Sequence, residues 1–448
     1  MRGHNRFNWG VVLKVIFLNR FFYPDHSATS QMLSDLAFQL AGSGHTVQVI
    51  TSRLTYEGDR VLSPNENVGN VAISRVPTTA FGRDKLLGRT LDYFSFYLSA
   101  GFRLVLDAEP SDVVVVKTDP PMLSVIAGPI ARVKGARHIN WLQDLFPEVA
   151  TALGIGRART QKWAFSLLRR LRDLTLRYAD ANVVLGERMA ARLKKRRVPQ
   201  ERITIIANWA DGNRIRPVER TRNALRKEWS LKDAFVVGYS GNLGRAHSFE
   251  TFLTAVAHLE AQQKATSKAR VFANTGGGAS QDDTDEGSLS RQEIRWLFIG
   301  SGNQTEKLQR AVQERGYDSV MFRPYQPRER LGDSLSAPDV HLISLKPNLE
   351  GLIVPSKYYG IAAAGRPAIF VGNPDGELAR IIRDSNTGFV IRDGDGDGLA
   401  EAILKLARDP ELAAQQGARA RQLFETKYDF AHAVTAWERL IQKVSAQA

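Results

Sequence analysis

The sequence contains no cysteine, so disulfide bonds, thiolate metal ligands and cysteine nucleophiles are all excluded. It has no uninterrupted run of about 18 apolar residues either, so a membrane-spanning helix is not expected. Residues 1–10 are basic and are interpreted as a flexible extension. Lys14 interrupts the apolar segment that follows, which argues against a secretory signal. Together these features predict a protein of the reducing cytoplasm.

Positive charge is in clear excess. The net charge is +14, and the segment 157–202, with fourteen Lys/Arg and four Asp/Glu, contributes +10 of it. Such an excess favours phosphate-rich partners: nucleotides, nucleic acid or anionic lipid. Nucleic acid is disfavoured, because the segment has only Trp163, Phe165 and Tyr178 for base stacking, largely at core spacing. Two interpretations stay open, an ordinary half-buried amphipathic helix or a contact surface for an anionic membrane.

Apolar runs alternate with segments of helical periodicity along the whole chain. The segment 11–18 is predicted to be a buried strand, followed by a helix in SQMLSDLAFQLAG and a strand in HTVQVITS. Further helices are predicted near 85–108, 121–134 and 160–178, and this order predicts parallel βαβ units. A second series of strands begins with FVVGYSG, after a polar stretch near 210–232.

The predicted fold class is therefore α/β, with two Rossmann-like domains facing across a cleft. The first domain is assigned to residues 11–212 and the second to residues 213–424. A segment rich in Gly, Ser, Thr and Asp, at about 264–292, is predicted to be a disordered insertion in the second domain. Residues 425–448 are predicted to form a C-terminal helix that returns to the first domain.

Ligands of open α/β sheets bind outside the carboxyl ends of the strands, so candidate residues should directly follow strands. In the second domain, FVVGYS runs into Gly241 and Asn242, with Arg245 close behind. Glycines let a backbone approach a phosphate, and arginine offers a forked donor for it. Gly300 and Gly302 follow the next strand in a similar way, without a nearby cation.

The loop after the strand VHLISL carries a second set of candidates, namely Glu350, Pro355, Ser356 and Lys357. Ser356 is a plausible helix N-cap, which is its structural interpretation. Lys357 in the first turn of a helix opposes the helix dipole, and a bound anion would explain it.

In the first domain, Asp25, His26 and Ser27 lie in the loop after the first strand. Asp144 directly follows the strand ARHINWLQ, where a carboxylate can bind hydroxyls or act as a base.

Several of these motifs resemble the family 4 retaining glycosyltransferases with the two-Rossmann (GT-B) fold, over nearly the whole chain. The matching pieces include PDHSATSQMLSDLAFQLAGSGHTVQVIT, FVVGYSGNLGRAHSFETFLTA and VPSKYYGIAAAGRPAIFVGNPDGELARII. The last resembles transferases that assemble bacterial surface polysaccharides such as O-antigen, capsule and exopolysaccharide.

The resemblance implies a nucleotide-sugar donor, usually a UDP-sugar, bound mainly by the second domain. It implies an acceptor, polyprenyl-linked or saccharide, bound mainly by the first domain at the inner face of the cytoplasmic membrane. Reaction would retain the anomeric configuration by front-face attack, with no enzyme nucleophile, no bound metal and no cofactor. A nucleotide-sugar 2-epimerase shares this architecture and is the alternative enzyme, although the basic segment disfavours it. A basic nucleic-acid-binding protein is the alternative from another class.

The resemblance also assigns roles to the candidates. Arg245 and Lys357 would stabilise the leaving diphosphate, and with Asp144 they form the predicted catalytic set. The remaining donor contacts would be Gly241, Asn242, Gly300, Gly302, Glu350, Pro355 and Ser356. The acceptor or the sugar would contact Asp25, His26, Ser27 and Asp144. The sequence departs from the family pattern where Asn242 and His247 replace an arginine and a lysine, and where Gly360 replaces a glutamate.

Overall fold

The computed structural model describes residues 12–25, 27–58, 60–82, 86–155, 159–275 and 293–447. The chain divides into two compact units. Unit 1 comprises Met1–Ala207, Gly351–Val354 and Ala431–Ala448, and unit 2 comprises Asn208–Glu350 and Pro355–Phe430. The division after Ala207 comes slightly earlier than the predicted boundary after residue 212.

Unit 1 is built around an eight-stranded sheet. Its strands are β1 (Lys14–Leu18), β2 (Thr46–Ser52), β3 (Asn65–Val68), β4 (Val71–Val76), β5 (Val113–Lys117), β6 (Arg137–Trp141), β7 (Ala181–Val184) and β8 (Ile203–Ile205). They lie in the order β3-β4-β2-β1-β5-β6-β7-β8. All five residues of β5 are buried, as expected for a strand whose two faces are both covered. The strand order reverses between β1 and β5, which makes this position the switch point of the sheet.

The edge strand β3 departs from the predicted all-parallel sheet, because it pairs antiparallel with β4. The two strands are joined by Gly69 and Asn70, both with positive φ (55° and 64°), the conformation of a tight hairpin turn. Val68 therefore lies opposite Val71. The polar sequence NENV suits an edge position, and sequence periodicity gave no sign of this strand.

The residues described before the division between the units include six α-helices. They are α1 (Ala28–Gly42), α2 (Leu86–Asp107), α3 (Leu123–Val133), α4 (Glu148–Ala152), α5 (Arg159–Tyr178) and α6 (Glu187–Lys195). The helices predicted near 85–108, 121–134 and 160–178 are confirmed as α2, α3 and α5. Helix α1 begins after Ser27, whose hydroxyl accepts a hydrogen bond from the Ser30 N–H at 3.3 Å.

Unit 2 contains a six-stranded parallel sheet. Its strands are β9 (Phe235–Ser240), β10 (Ile294–Ile299), β11 (Val320–Arg323), β12 (Val340–Ser344), β13 (Ala368–Gly372) and β14 (Gly388–Arg392). They lie in the order β11-β10-β9-β12-β13-β14, so the switch point falls between β9 and β12.

Nine α-helices are described after the division between the units. They are α7 (Ala224–Glu228), α8 (Glu250–Thr275), α9 (Thr305–Arg315), α10 (Leu331–Ser336), α11 (Lys357–Ala363), α12 (Glu377–Asp384), α13 (Gly396–Arg408), α14 (Pro410–Leu423) and α15 (Phe430–Ser445). From Ala431 onward α15 belongs to unit 1, where the rings of Trp437 and Trp141 pack with their centroids 4.7 Å apart.

Helix α8 corrects the predicted insertion at 264–292, because it continues to Thr275. Residues 264–275 are KATSKARVFANT, and the good helix formers among them, Ala, Lys and Arg, extend the helix. The Gly-rich remainder, 276–292, lies outside the described residues.

We expect Trp437→Ala to lower the free energy of unfolding of unit 1 by about 3–5 kcal/mol, because the substitution leaves a cavity against Trp141. Trp437 is fully buried, whereas Trp163 is 72% exposed and provides the matched control. Trp163→Ala should change stability by no more than about 0.5 kcal/mol. Urea unfolding monitored by circular dichroism measures both; equal midpoints for the two variants would contradict the packing of α15 on unit 1.

Candidate functional site

Two glycine turns that follow the neighbouring strands β9 and β10 pack on each other. Gly241 follows β9 with φ of 115°, and Gly300 follows β10 with φ of 125°. A Cβ on Gly300 would come within 2.6 Å of the Gly241 carbonyl oxygen, and one on Gly302 within 2.5 Å of the Leu243 oxygen. Glycine is required at both positions by this close backbone approach. Gly300 and Gly302 therefore support the turn that begins at Gly241.

The Lys357 side chain reaches the turn that follows β9. Its ammonium nitrogen lies 3.1 Å from the Asn242 carbonyl oxygen and 3.1 Å from His247 Nε2. It also lies 5.1 Å from the centroid of the Tyr239 ring, within the range of a cation–π interaction. The ammonium group is thus held at the carboxyl end of β9.

The hydrogen bonds of His247 fix its role as an acceptor for Lys357. His247 Nδ1 lies 2.5 Å from the Ser344 carbonyl oxygen, which can only accept, so Nδ1 carries the proton. Burial, and then the charge of Lys357, lower the pKa of His247 to about 3, so the ring is neutral. Nε2 therefore accepts a hydrogen bond from Lys357.

Burial lowers the pKa of Lys357 to about 8, so the ammonium group keeps most of its charge at neutral pH. An ammonium group has three N–H donors. Two are directed to Asn242 and His247, and the third has no acceptor in the part of the chain that the structure describes. This arrangement suits an anionic ligand that supplies the missing acceptor.

Arg245 and Asn242 are exposed in the same loop. Arg245 forms no hydrogen bond or ion pair with the residues that the structure describes, so its guanidinium group is available to a ligand.

The other candidates around α11 have different surroundings. Glu350 does not extend into the loop as a free carboxylate, because its Oε1 accepts a hydrogen bond of 2.8 Å from the Glu377 N–H at the start of α12. Ser356 precedes α11, yet its side chain makes no capping hydrogen bond, contrary to the N-cap prediction. Ser356 is exposed and Pro355 is buried.

Gly360 of α11 packs close to neighbouring apolar side chains. A Cβ at this position would lie 3.2 Å from the Leu335 side chain and 3.9 Å from Ile215. A side chain here would require the end of the Leu335 side chain to shift by a few tenths of an ångström.

In unit 1, Asp144 lies beyond the carboxyl end of β6. Its Oδ1 atom is buried and has no hydrogen-bond partner among the described residues. Burial, reinforced by the charge of Asp119, raises the pKa of Asp144 to about 7, while a hydrogen bond with Thr118 opposes the shift. The carboxyl group is therefore present in both protonation states near neutral pH and can exchange a proton with a hydroxyl ligand.

Lys117, the last residue of β5, is a candidate functional residue that the sequence interpretation did not select. Its ammonium nitrogen donates to the Thr29 carbonyl oxygen at 2.6 Å and lies 4.0 Å from the Trp141 ring centroid. Burial lowers the pKa of Lys117 to about 7, against the opposing charge of Asp119. The signal was available, since a lysine that closes the buried run VVVVK stands at a strand end.

The loop candidates of unit 1 are used mainly in local structure. Asp25 accepts a hydrogen bond from the Ser27 N–H at 3.2 Å and another from the Tyr56 N–H, and Ser27 caps α1. His26 lies outside the described residues.

The basic segment 157–202 is partly neutralised inside unit 1. The Glu148 carboxylate pairs with Arg172 at 2.8 Å, with Arg196 at 2.9 Å and with Arg169 at 3.5 Å. Arg172 also pairs with Asp173 at 2.8 Å. These cations are internal ion-pair partners, which the sequence interpretation did not foresee.

Helix α5 does not bury most of its large apolar side chains, contrary to the interpretation as an ordinary half-buried amphipathic helix. Leu167 and Leu174 are 43% and 45% exposed and Tyr178 is 64% exposed, whereas Arg172 and Leu176 are buried. Ion pairing with Glu148 and Asp173 lets the Arg172 side chain turn inward. The outward side of α5 therefore combines apolar residues with the exposed cations Lys162 and Arg170.

Two family models match the chain. The Glycosyl transferase 4-like domain matches residues 28–209, and the Glycosyl transferases group 1 domain matches residues 221–423. The Pseudomonas aeruginosa protein WbjE, which is named as a glycosyltransferase, is 28% identical over 72% of this chain and 72% of its own length. The Escherichia coli (strain K12) protein WcaI, whose name assigns it to colanic acid biosynthesis as a glycosyl transferase, is 24% identical over 82% of this chain and 86% of its own.

Solved structures share the fold at lower identity. Sucrose-phosphate synthase from Thermosynechococcus elongatus has a TM-score of 0.72 and 17% identity, covering 97% of this chain and 100% of its own. Anabaena HepE in complex with UDP-glucose has a TM-score of 0.67 and 13% identity, with the same coverage of 97% and 100%. The fold is that of the GT-B glycosyltransferases.

We expect an NMR titration of ¹³C-labelled lysine side chains to show one resonance with a pKa of about 8, which Lys357→Gln removes. Added pyrophosphate should raise this pKa, because a nearby anion favours the charged form. A Lys357 resonance that titrates at the ordinary lysine pKa, or does not respond to pyrophosphate, would contradict the buried anion site.

Proposed function

Because the chain belongs to the glycosyltransferases built from a 4-like domain and a group 1 domain, we propose that it transfers a sugar from a UDP-sugar in bacterial surface-polysaccharide assembly. The acceptor would be a polyprenyl-linked lipid or a growing saccharide. The name of WcaI, from colanic acid biosynthesis, supports the pathway class, and the UDP-glucose complex of HepE supports the donor class.

The Lys357 ammonium group is the observation that carries this proposal. Breaking the glycosidic bond to the donor leaves a nucleoside diphosphate, on which negative charge accumulates in the transition state. Fixed cations at that position stabilise the transition state more than the ground state. Lys357, held by Asn242 and His247, and the exposed Arg245 are the two cations that would serve this role in unit 2.

The remaining donor contacts would come from the same turn. Gly241 and Asn242 would bring the backbone close to the diphosphate, with Pro355 and Ser356 beside Lys357 in sequence. Gly300 and Gly302 would act indirectly, by shaping the turn. Glu350 would act through its hydrogen bond to α12 and not as a direct ligand. In this proposal the reaction retains the anomeric configuration and uses no cofactor. It also needs no metal, since the Lys357 and Arg245 cations would balance the negative charge of the leaving diphosphate.

Asp144 would contact the acceptor or the transferred sugar in unit 1. Its buried, unpartnered Oδ1 can accept a hydrogen bond from a sugar hydroxyl. The pKa of about 7 would let it take up a proton as the acceptor hydroxyl reacts. Asp25 and Ser27 would lie at the edge of this region, whereas His26 stays a prediction from the sequence.

We also propose that the protein works at the inner face of the cytoplasmic membrane as a peripheral protein. No helix among the described residues is long and apolar enough to cross a bilayer. The support for membrane binding is the basic segment 157–202, in which Arg170, Lys194 and Lys195 are exposed.

Lys357→Ala and Arg245→Ala should each lower kcat by about 10²-fold or more, since each removes a charge that stabilises the leaving diphosphate. Arg310→Ala is the matched control, because Arg310 is 71% exposed on α9 and pairs only weakly with Glu306 at 3.6 Å. Release of nucleoside diphosphate from UDP-, ADP- and GDP-sugars measures the rate, and thermal stabilisation by the same panel measures binding. Wild-type kcat in both variants would refute the assigned role.

Replacing Arg170, Lys194 and Lys195 by glutamine should weaken binding to anionic vesicles, because each basic residue near the surface contributes roughly 1 kcal/mol. The loss should be largest at low ionic strength. A control variant removes three exposed cations of unit 2, Lys307, Arg310 and Arg315. Equal co-sedimentation of the two variants with vesicles would argue against a specific role for the basic segment.

A further inference from the structure

Helix α2 of unit 1 has an apolar face directed to the outside. Of the residues of α2 that are exposed, all are apolar except Thr90. The apolar ones are Leu87, Leu91, Phe94, Leu98, Phe102, Val105 and Leu106. A surface helix of a soluble domain ordinarily places its polar residues there and buries its apolar stripe. This face therefore requires a partner or a specific environment.

Three charged residues of α2, namely Asp92, Arg103 and Asp107, form polar contacts away from that face. Asp92 is only 3% exposed, and its carboxylate accepts hydrogen bonds from the Thr79 hydroxyl at 2.8 Å and the Phe81 N–H at 3.0 Å. Arg103 pairs with Asp107 at 2.6 Å. The inner side of α2 also covers the sheet with Phe96, Ala100 and Leu104, all fully buried. Both sides of the helix are thus apolar, and only the inner one is covered.

Two neighbouring helices extend the exposed apolar surface. Helix α3 lies so close to α2 that a Cβ on Gly101 would be 3.0 Å from the Ile126 side chain. Helix α3 meets α5 where the Arg132 guanidinium lies 5.6 Å from the Tyr178 ring centroid. The exposed apolar residues described on α3 and α5 are Ile126, Pro129, Val133, Trp163, Ala164, Leu167, Leu174 and Tyr178. We call these residues, together with the exposed residues of α2, the outer helix face.

The charges on the three helices indicate what covers this face. Arg132, Lys162 and Arg170 are exposed on α3 and α5. None of the side chains described on these three helices is an exposed carboxylate. Two copies of such a face would bring like charges together, whereas anionic lipid headgroups would neutralise them. Trp163 and Tyr178 are also residue types that favour the boundary between headgroups and acyl chains.

We propose that the outer helix face docks on an anionic lipid bilayer, with α2 lying in the plane of the membrane. Its leucine and phenylalanine side chains would enter the boundary between headgroups and acyl chains, as in interfacial amphipathic helices. The exposed cations of α3 and α5 would contact the headgroups. This inference rests on the proposed peripheral location and adds the surface that inserts, which the basic segment alone does not supply.

The test compares the triple variant Phe94→Ser, Leu98→Ser, Phe102→Ser with wild type, using vesicles of mixed phosphatidylcholine and phosphatidylglycerol. The variant should lose about tenfold or more in vesicle binding, because three large apolar side chains no longer leave water. The loss should persist at high salt, unlike the loss caused by removing basic residues. The matched control is Val12→Ser, Val61→Ser, which removes apolar residues of unit 1 that are 69% and 66% exposed outside this face.

A second measurement uses Trp163, which is 72% exposed, while the other described tryptophans are buried. Lipids with brominated acyl chains should quench tryptophan fluorescence of the wild type, and Trp163→Phe should remove most of that quenching. This readout depends on a residue that the triple variant leaves in place, so it also tests the proposal if that variant folds poorly.

Three results would overturn the proposal. These are wild-type vesicle binding by the folded triple variant, absence of quenching by brominated lipid, and a soluble dimer that the triple variant dissociates without any vesicle binding. The last result would assign the face to contact with a second copy of the chain.

Thermal stabilisation by nucleotide sugars reports on donor binding, which is proposed for unit 2. It therefore distinguishes failure of the proposed transfer activity from failure of the outer helix face to bind lipid.

Discussion

The position of the Lys357 ammonium group depends on the close approach of the backbone turns that follow β9 and β10. Gly241 and Gly300 have backbone angles that favour glycine, and their contact shapes the loop whose Asn242 carbonyl holds the lysine. His247 completes the arrangement because its proton is committed to Ser344, which leaves Nε2 as an acceptor. A cation is thereby fixed where parallel sheets bind ligands, with one donor still available.

Some Lys and Arg side chains of unit 1 form internal ion pairs, whereas others are exposed at the surface. Glu148 pairs with Arg172, Arg196 and Arg169, and this pairing holds α5 and the C-terminal end of α6 to the start of α4. The cations that escape it, such as Lys162 and Arg170, lie on α5 near its exposed apolar residues. A surface that combines exposed apolar side chains with cations is unfavourable in water and is suited to contact with an anionic lipid bilayer. Membrane docking and glycosyl transfer would then be assigned to different groups of residues.

Much of the fold could be predicted from the sequence because apolar runs and helical spacing are local signals. The strand β5 and the helices α2, α3 and α5 are confirmed on that basis. Other features depend on contacts that are distant in sequence. The Glu350 carboxylate binds the start of α12, 27 residues later, and the outward face of α2 cannot be distinguished from its inner face by periodicity when both are apolar. Arg245, Lys357 and Asp144 stay predictions as functional residues, although strand-end placement was sufficient to select them.

A crystal structure of the protein with a bound nucleoside diphosphate would test most directly whether Lys357 and Arg245 contact the leaving group. The diphosphate should lie at the carboxyl end of β9, with a phosphate oxygen within about 3.2 Å of Lys357 Nζ and a second contact from Arg245. The Asn242 and His247 hydrogen bonds to Lys357 should persist in the complex. A diphosphate bound elsewhere, or bound with Lys357 directed only to Asn242 and His247, would contradict the proposed diphosphate site.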